Sequence, residues 1–290
     1  MQFWQSTGFS EVDQLVEIAK IAEEVGFDGL FLSDHLVHPG HLESRYPYAE
    51  DGEADFKAET PFPDCWAAIS AMAAVTERIR FATLVHILPL RHPVEVAKAT
   101  GTASILSGGR VALGAGAGWV KEEFDILGVD FKTRGRRMDE SIEVLRKLWS
   151  GEMVEHRGEF FEFPPVQMSP AVGRSIPIWI GGASKPALRR AAQRCDGWLG
   201  AGNTLDDAIA IADELRRLRA EAGRQDEPFE VVAPLFEPLT PDALHALEDH
   251  GVTGSVSFPF FYSVGPQSTI EQKRAAMEQF SEGVIQPSRD

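Results

Sequence analysis

Cysteine and positive charge are both scarce in this 290-residue sequence. The two cysteines, Cys65 and Cys195, lie too far apart for a Cys-x-x-Cys redox or zinc motif, and two cysteines do not make a disulfide framework. The 28 Lys and Arg residues are outnumbered by 44 Asp and Glu residues, which gives a net charge of −16. Binding to nucleic acid or to an anionic membrane surface needs a basic face, so neither partner is expected.

Long apolar runs and several familiar motifs are also missing. The sequence has no uninterrupted apolar stretch of the roughly 18 residues that a membrane-spanning helix needs. Residues 1–8 lack the basic and apolar regions of a signal peptide, so we expect a cytoplasmic location. There is no Gly-x-Ser-x-Gly motif for nucleophilic hydrolysis. Gly114, Gly116 and Gly118 do not have the spacing of the dinucleotide-binding motif Gly-x-Gly-x-x-Gly.

Short apolar segments alternate with amphipathic helical patterns along the whole chain. In residues 12–25 the apolar side chains recur with the i, i+3, i+4 spacing of a helix, and a glycine stop and the buried-strand run 29–32 follow. Eight such strand–helix units can be counted, from a first strand at 2–5 to a last helix at about 267–283. They predict one α/β domain over residues 1–290, a (β/α)₈ TIM barrel, with an open doubly wound sheet as the alternative.

Two segments interrupt this alternation. Residues 36–62 form a long polar stretch with two tyrosines, Tyr46 and Tyr48, and are expected to act as a lid over the site. Residues 151–176 form an insertion that contains a predicted hairpin, which turns at Arg157-Gly158. Both segments are expected to be active-site loops.

Polar residues follow the second and third predicted strands, where a barrel places its catalytic groups. The adjacent Asp34 and His35 can serve a proton transfer, in which the carboxylate orients or tunes the imidazole. The alternative is a loop histidine beside an aspartate that caps a helix. His86 ends the third strand and is expected to face the barrel mouth, while Arg91 is a weaker candidate for contact with an anion.

Glycine-rich turns end the strands near residues 115 and 180. Gly114, Gly116 and Gly118 leave room either for a flat ligand or for tight barrel packing, and Trp119 favours a ligand pocket. The turn at 181–185, Gly-Gly-Ala-Ser-Lys, opens a helix and presents free N–H groups to an anion such as phosphate. The same helix carries a basic cluster, which consists of Lys185, Arg189, Arg190 and Arg194. The alternative is an ordinary glycine turn beside a solvated basic face.

Two other clusters of polar residues are given structural roles. Glu122 and Glu123 begin a helix, which indicates compensation of the helix dipole and not acid–base machinery. His35, His38 and His41 are regularly spaced, but the intervening Pro-Gly breaks any helix and no carboxylate completes a ligand set. No metal is therefore expected.

Seven segments follow one another along nearly the whole chain: Gly26–His35, Leu88–Pro93, Leu106–Arg110, Gly114–Trp119, His156–Phe161, Ile178–Gly182 and Asp196–Trp198. Each segment alone is weak. Together, in this order, they resemble the luciferase-like flavin- and deazaflavin-dependent oxidoreductases.

The resemblance implies a (β/α)₈ barrel with a flavin-type ring in its mouth and a cofactor phosphate at the Gly-rich turn. The Ser-Asp-His end of the second strand is similar to the branch that uses the deazaflavin coenzyme F420, in which Asp34 and His35 would lie near the hydride-carrying carbon. A non-proline cis peptide under the ring would correspond to Leu84-Val85. The implied cofactor-binding residues are Asp34, Leu84, Val85, Gly116, Gly118, Gly181, Gly182, Ala183, Ser184 and Lys185.

One residue departs from the family pattern. The F420-dependent sugar-phosphate dehydrogenases of this family carry a glutamate where this chain has Trp119, which favours a more apolar substrate pocket lined by Trp119, His86, Tyr46 and Tyr48. The resemblance therefore implies a homodimeric oxidoreductase that exchanges hydride between F420 and an organic small molecule, with His35 as general acid/base. An FMN-dependent monooxygenase and a non-catalytic ligand-binding barrel are the alternatives.

Overall fold

The predicted apolar segments form parallel strands in the computed structural model, which describes residues 1–49 and 51–289. The strands, in chain order, are β1 (Gln2–Ser6), β2 (Gly29–Leu32), β3 (Arg80–Thr83), β4 (His86–Ile87), β5 (Val111–Gly116), β6 (Met153–Arg157), β7 (Glu162–Gln167), β8 (Ile178–Gly181), β9 (Gly197–Leu199), β10 (Glu230–Val232) and β11 (Gly254–Ser257).

Eight of these strands close into a barrel. They follow the order β3-β2-β1-β11-β10-β9-β8-β5, and a further pairing between β3 and β5 joins the ends. All of these pairings are parallel; Gln2 of β1, for example, lies opposite Gly254 of β11. The predicted (β/α)₈ barrel is therefore confirmed, and the open-sheet alternative is wrong because the two outer strands pair with each other.

Helices follow the strands, and the longer helices cover the outside of the barrel. The helices are α1 (Leu15–Val25), α2 (Cys65–Ala73), α3 (Pro93–Leu106), α4 (Lys121–Ile126), α5 (Arg134–Trp149), α6 (Lys185–Arg194), α7 (Leu205–Glu221), α8 (Pro241–Asp249), α9 (Phe260–Ser263) and α10 (Ile270–Phe280). Their starts follow from local sequence, because the side chains of Ser184, Thr204, Thr240 and Thr269 each cap a helix N-terminus. No helix in the described part of the chain is long and apolar enough to cross a membrane.

Two apolar layers hold the barrel together. Large side chains fill its interior, where Trp4 stacks on Phe31 with 4.5 Å between ring centroids and meets Trp179 edge to face at 5.5 Å. A second layer lies between the strands and the surrounding helices and includes Ile18, Ile69 and Leu145. At the carboxyl end of the barrel, Leu84 and Val85 pack against the interior cluster and cap it.

The third predicted strand, residues 79–87, is split in the structure. β3 ends at Thr83, and β4 begins at His86 beside β5. The Leu84-Val85 peptide between them is cis, as the family resemblance implies. This bend places residues 84–87 across the mouth of the barrel.

The inserted hairpin is confirmed, but its position and turn differ from the expectation. β6 and β7 pair antiparallel, and the turn occupies residues 158–161, where the Gly158 N–H donates to the Phe161 carbonyl at 2.9 Å. The hairpin leaves the barrel after α5 and returns at the start of β8, so its two ends lie at the amino ends of the strands. It therefore does not belong to the loops that connect strand carboxyl ends to helices, where barrel active sites form.

Candidate active site

The carboxyl ends of four neighbouring strands bring the predicted polar residues to one end of the barrel. β2 is followed by Asp34 and His35, the β3–β4 bend carries Leu84 to His86, β5 leads into Gly116 to Trp119, and β8 ends at Gly181. Parallel strands in a closed barrel direct these ends to the same side. The candidate site is therefore assembled from segments that are far apart in the sequence.

His35 forms a hydrogen-bonded pair with a buried carboxylate. Its Nδ1 lies 2.8 Å from Oε2 of Glu123, whose side chain is fully buried. The other oxygen, Oε1, accepts hydrogen bonds from the backbone N–H groups of Leu36 at 2.8 Å and Val37 at 3.4 Å. Because Glu123 accepts a hydrogen bond from Nδ1, Nε2 is left as the ring nitrogen that can take up and release a proton.

The pair corrects two predictions. Asp34 does not orient His35, since Glu123 occupies that position; and Glu123 is not a dipole-compensating surface residue, since its side chain is buried against the β2 loop. One sequence signal was available: Glu123 lies three residues after the buried Val120 and directly before the buried Phe124. A carboxylate on the apolar side of a short helix needs a buried partner.

Asp34 instead forms a buried ion pair with Arg91. Two guanidinium nitrogens of Arg91 donate to its two oxygens, both at 2.7 Å, and the N–H of Ile87 donates to Oδ2 at 2.9 Å. Burial alone would raise the pKa of Asp34, but neighbouring His86, Arg91 and the Ile87 hydrogen bond lower it below its ordinary value. Asp34 therefore holds the backbone that follows the cis peptide, and its predicted contact with a cofactor ring stays a prediction.

His86 does not line an open pocket, contrary to expectation. Its side chain is 2% exposed; Nδ1 lies 3.3 Å from Asp34 Oδ2, and the ring meets that of Trp66 at 5.7 Å. Neither ring nitrogen makes a hydrogen bond to any residue that the structure describes. Burial, together with the charge of Arg91, outweighs the attraction of Asp34 and Asp64 and lowers the pKa of His86 to about 4. The imidazole is therefore neutral in the folded protein at pH 7.

Buried neutral His86 predicts acid sensitivity. Its folded pKa of about 4 lies below the value of about 6.5 in an unfolded chain, so acidification from pH 6.5 towards pH 4 protonates the unfolded state first. The free energy of unfolding should fall by about 2 kcal/mol between pH 7 and pH 5 from this residue alone. Urea unfolding at both pH values should show that His86→Phe loses less stability than the wild type. An identical loss in both proteins would contradict the assignment.

The space beside three of the predicted cofactor-contact glycines is filled by the protein itself. A Cβ on Gly116 would lie 2.4 Å from Val85 Cγ2, and one on Gly181 would lie 2.6 Å from Val85 Cγ1. A Cβ on Gly118 would lie 2.7 Å from Ile87 Cγ2. Tight packing therefore accounts for glycine at these positions, while contact between their backbone and a cofactor stays a prediction.

The turn after β8 has the features of an anion-binding turn. Gly182 has φ +107°, a conformation that favours glycine, and Ser184 is the N-cap of α6. Residues 183–186 are exposed, and the first amides of a helix have no partner within it. The turn therefore leaves Ala183, Ser184 and Lys185 accessible to a phosphate.

The basic cluster predicted on α6 is not a single surface. Arg190 donates to Asp139 of α5 at 2.7 Å and to the Gly135 carbonyl at 3.1 Å, so its charge is already paired. Arg194 is at the opposite end of α6, where it lines a groove with residues of α5 and the hairpin. Only Lys185 among these residues stands at the turn itself.

The long loop at 36–62 lies over the mouth and is held by Glu122. Its carboxylate accepts hydrogen bonds from the Glu43 N–H at 2.7 Å, the Ser44 N–H at 3.0 Å and the Ser44 hydroxyl at 2.7 Å. Burial raises the pKa of Glu122, but these hydrogen bonds outweigh it and lower the pKa to about 2. The loop, whose described residues are 36–49 and 51–62, is thus fixed to α4 beside the Glu123–His35 pair.

Both predicted lid tyrosines reach the mouth. Tyr46 packs edge to face on Trp119, with 5.2 Å between ring centroids, and Tyr48 meets Tyr46 at 5.5 Å. The Tyr48 hydroxyl also lies close to the β8 turn, 3.2 Å from where a Cβ on Gly182 would be. Burial, together with Tyr48 and Asp55, raises the pKa of Tyr46 to about 12, and burial raises that of Tyr48, so both hydroxyl protons are retained at neutral pH.

Sequence comparisons extend along almost the whole chain. The profile of the family described as luciferase-like monooxygenase matches residues 2–283. An uncharacterized protein of Mycobacterium tuberculosis is 38% identical over 287 residues, which cover 98% of this chain and 99% of that protein. The F420-dependent glucose-6-phosphate dehydrogenase of Nakamurella multipartita is 27% identical over 271 residues, covering 91% of this chain and 75% of that enzyme.

A solved structure shows the same fold at lower sequence identity. The monooxygenase RslO1 from Streptomyces bottropensis superposes on this chain with a TM-score of 0.78 and 19% identity, and the superposition covers 100% of both chains. The likeness shows that the two chains share the same fold.

Proposed function

Because the chain belongs to the luciferase-like monooxygenase family, we propose that it is an oxidoreductase that transfers a hydride between coenzyme F420 and an organic small molecule. The observation that carries this proposal is the hydrogen-bonded pairing of His35 with the buried carboxylate of Glu123. The pair provides a proton acceptor and donor, at Nε2, at the end of the barrel where active sites form.

The residues at the mouth fit a flavin-type cofactor. Leu84 and Val85 are half-buried and give the mouth an apolar floor, on which a flat ring would rest. Ala183, Ser184 and Lys185 would hold its phosphate, because the turn combines exposed amides with one cation. When bound, F420 accepts or donates the hydride.

His35 supplies the proton transfer that must accompany hydride transfer to or from an oxygen-bearing carbon. In the oxidation of an alcohol, Nε2 of His35 would accept the O–H proton, and bound F420 would supply the acceptor for the hydride. Carbonyl reduction reverses both transfers. Buried Glu123 stabilises the protonated imidazole, and the lid excludes water from the reacting groups.

The choice of F420 is supported by the relative from Nakamurella multipartita, which is named an F420-dependent glucose-6-phosphate dehydrogenase. A sugar-phosphate substrate is not proposed for this chain, because Trp119 stands at the position where the resemblance implies a glutamate in such enzymes. The fold shared with the monooxygenase RslO1 supports a second candidate, an FMN-dependent monooxygenase.

We also propose that the chain functions as one barrel domain, in the cytoplasm and as a homodimer.

Cofactor titration tests the proposal. Oxidised F420 and FMN are added separately to the purified protein, and quenching of tryptophan fluorescence reports occupancy, because Trp119 lies at the mouth. We expect saturable binding of F420 in the micromolar range and weaker binding of FMN. Lys185→Ala should weaken F420 binding several-fold, whereas Arg194→Ala, at the other end of α6, should not.

Other results of the titration would change the assignment. Tighter binding of FMN would replace the proposal with the monooxygenase, whose product formation would require oxygen. Binding of neither cofactor would overturn the oxidoreductase and favour the non-catalytic barrel. Equal losses for Lys185→Ala and Arg194→Ala would show that the phosphate does not bind at the β8 turn.

A further inference from the structure

Aromatic side chains surround the proposed acid/base residue. Phe56 and Phe62 of the lid contact the ring of His35 at centroid distances of 4.7 and 4.9 Å, and Trp119 contacts it at 6.1 Å. Tyr46 extends the group by packing on Trp119. These four side chains, Tyr46, Phe56, Phe62 and Trp119, are called the aromatic wall below. Each is half-buried, so part of its ring surface is accessible to a ligand beside His35.

A second row of rings continues the wall across the mouth. Phe9 contacts Phe62 at 6.0 Å and Tyr262 at 6.4 Å. Tyr262 in turn meets Phe258, which stacks on the exposed Phe236 at 5.9 Å. The approach to His35 is thus lined by flat apolar surfaces contributed by the ends of β1, β10 and β11 as well as by the lid.

The charged groups around this wall do not favour an anion. The lid, residues 36–62, contains six acidic and two basic residues. One of those basic residues, Arg45, donates to the Asp51 carbonyl at 2.5 Å, and Arg91 at the neighbouring strand end is paired with Asp34. Asp55 stands at the rim, where it accepts a hydrogen bond from the Tyr262 hydroxyl at 2.7 Å. The other basic residue, Lys57, is exposed, and the acidic residues of the lid outnumber it, so a phosphate or carboxylate beside His35 would lose hydration for little gain in favourable charge.

From this arrangement we propose that the substrate is an uncharged molecule with a flat, mostly hydrocarbon skeleton and one hydroxyl or carbonyl oxygen. The skeleton stacks against the aromatic wall, and the oxygen hydrogen-bonds with Nε2 of His35. Stacking on several rings adds to the burial of apolar area and favours a flat skeleton over a branched or saturated one. This inference names the substrate class of the site and rests on the proposed function.

Binding of matched probes tests the substrate class without requiring turnover. The probes are 2-naphthylmethanol, its carboxylated analogue 6-(hydroxymethyl)-2-naphthoate, and glucose 6-phosphate. Their affinities are measured by ligand-observed NMR on the purified protein, with and without F420. We expect 2-naphthylmethanol to bind at least about tenfold more tightly than the carboxylate, equivalent to about 1.4 kcal/mol, and glucose 6-phosphate not to bind saturably.

Substitutions of aromatic-wall residues test whether 2-naphthylmethanol binds at the wall. Phe56→Ala and Phe62→Ala should each weaken 2-naphthylmethanol binding at least about threefold, since each removes one ring from the stack. Phe160→Ala, in the hairpin turn, should leave it unchanged. Asp55→Asn should narrow the difference between the neutral and carboxylated probes, because it removes a negative charge from the rim.

The outcomes separate this inference from the proposed function. Equal or tighter binding of the carboxylate, absence of binding by both naphthyl probes, or no effect of Phe56→Ala and Phe62→Ala would overturn the substrate class, even in a protein that binds F420. Preference for the neutral probe in a protein that binds neither F420 nor FMN would instead overturn the oxidoreductase and leave the ligand class standing.

Discussion

Replacing His35 with alanine should reduce turnover by roughly 10²–10⁴-fold, which is the usual contribution of a positioned general acid or base. The effect should fall on kcat, because the imidazole exchanges a proton in the reaction and contributes little to binding of the substrate skeleton. The measurement is steady-state absorbance of F420 with a substrate of the neutral class. Cofactor affinity, measured by fluorescence titration, should stay within about twofold of wild type, since Leu84, Val85 and Lys185 are unchanged.

Glu123→Gln separates the roles of the two residues in the pair. Glutamine can still accept a hydrogen bond from Nδ1 of His35, but it cannot stabilise a positive charge on the ring. We expect turnover to fall at least about tenfold, but by less than in His35→Ala, because Nε2 of the imidazole is still present. Turnover of His35→Ala within about threefold of wild type would show that another group moves the proton.

Asp34→Ala should lower the free energy of unfolding by about 3–5 kcal/mol, because it leaves the Arg91 guanidinium without its partner in a buried site. The Ile87 N–H would also lose its acceptor. Urea denaturation at pH 7 measures the loss directly. Asp34→Asn retains an acceptor for the Ile87 N–H, so it should lower the free energy of unfolding less than Asp34→Ala does. It provides a second test if the alanine variant does not fold.

The Asp34–Arg91 ion pair predicts a second loss of folding stability at acidic pH. The pKa of Asp34 is lower in the folded protein than in the unfolded chain, so its stabilising contribution is present above about pH 4 and is lost as pH falls further. The pH range of this loss lies below the range in which His86 lowers the stability, so the two losses can be measured separately. The double variant Asp34→Ala/Arg91→Leu should recover part of the lost stability; simple additivity of the two single losses would contradict the pairing.

Periodicity and the order of motifs predicted the architecture well. Parallel pairing of strands such as β1 and β11 follows from alternating strand and helix units, and the cis peptide at Leu84-Val85 followed from family resemblance. Neither source revealed the partner of His35, because Glu123 is 88 residues away along the chain. Only the closed barrel shows which strand ends face one another.

The hydrogen-bond partners of Asp34 and His35 were predicted less accurately for the same reason, because each partner is distant in the sequence. Asp34 and His35 are neighbours in sequence, yet successive side chains at a strand end point in different directions. Asp34 therefore turns towards Arg91 while His35 turns towards Glu123. The aromatic contacts of Phe56 and Phe62 were also missed, because an irregular loop has no periodicity from which side-chain direction can be read.

The inserted hairpin has two open edges, and its sequence makes the β7 edge unsuitable for recruiting another strand. β7 contains Pro164-Pro165, and proline lacks the N–H donor that an added strand would require. The register shifts between Val154 and His156, where β7 has one residue more than β6, so the ladder is also interrupted opposite these prolines. The β7 edge is thereby protected against edge-to-edge aggregation, even though the ribbon lies outside the closed sheet of the barrel.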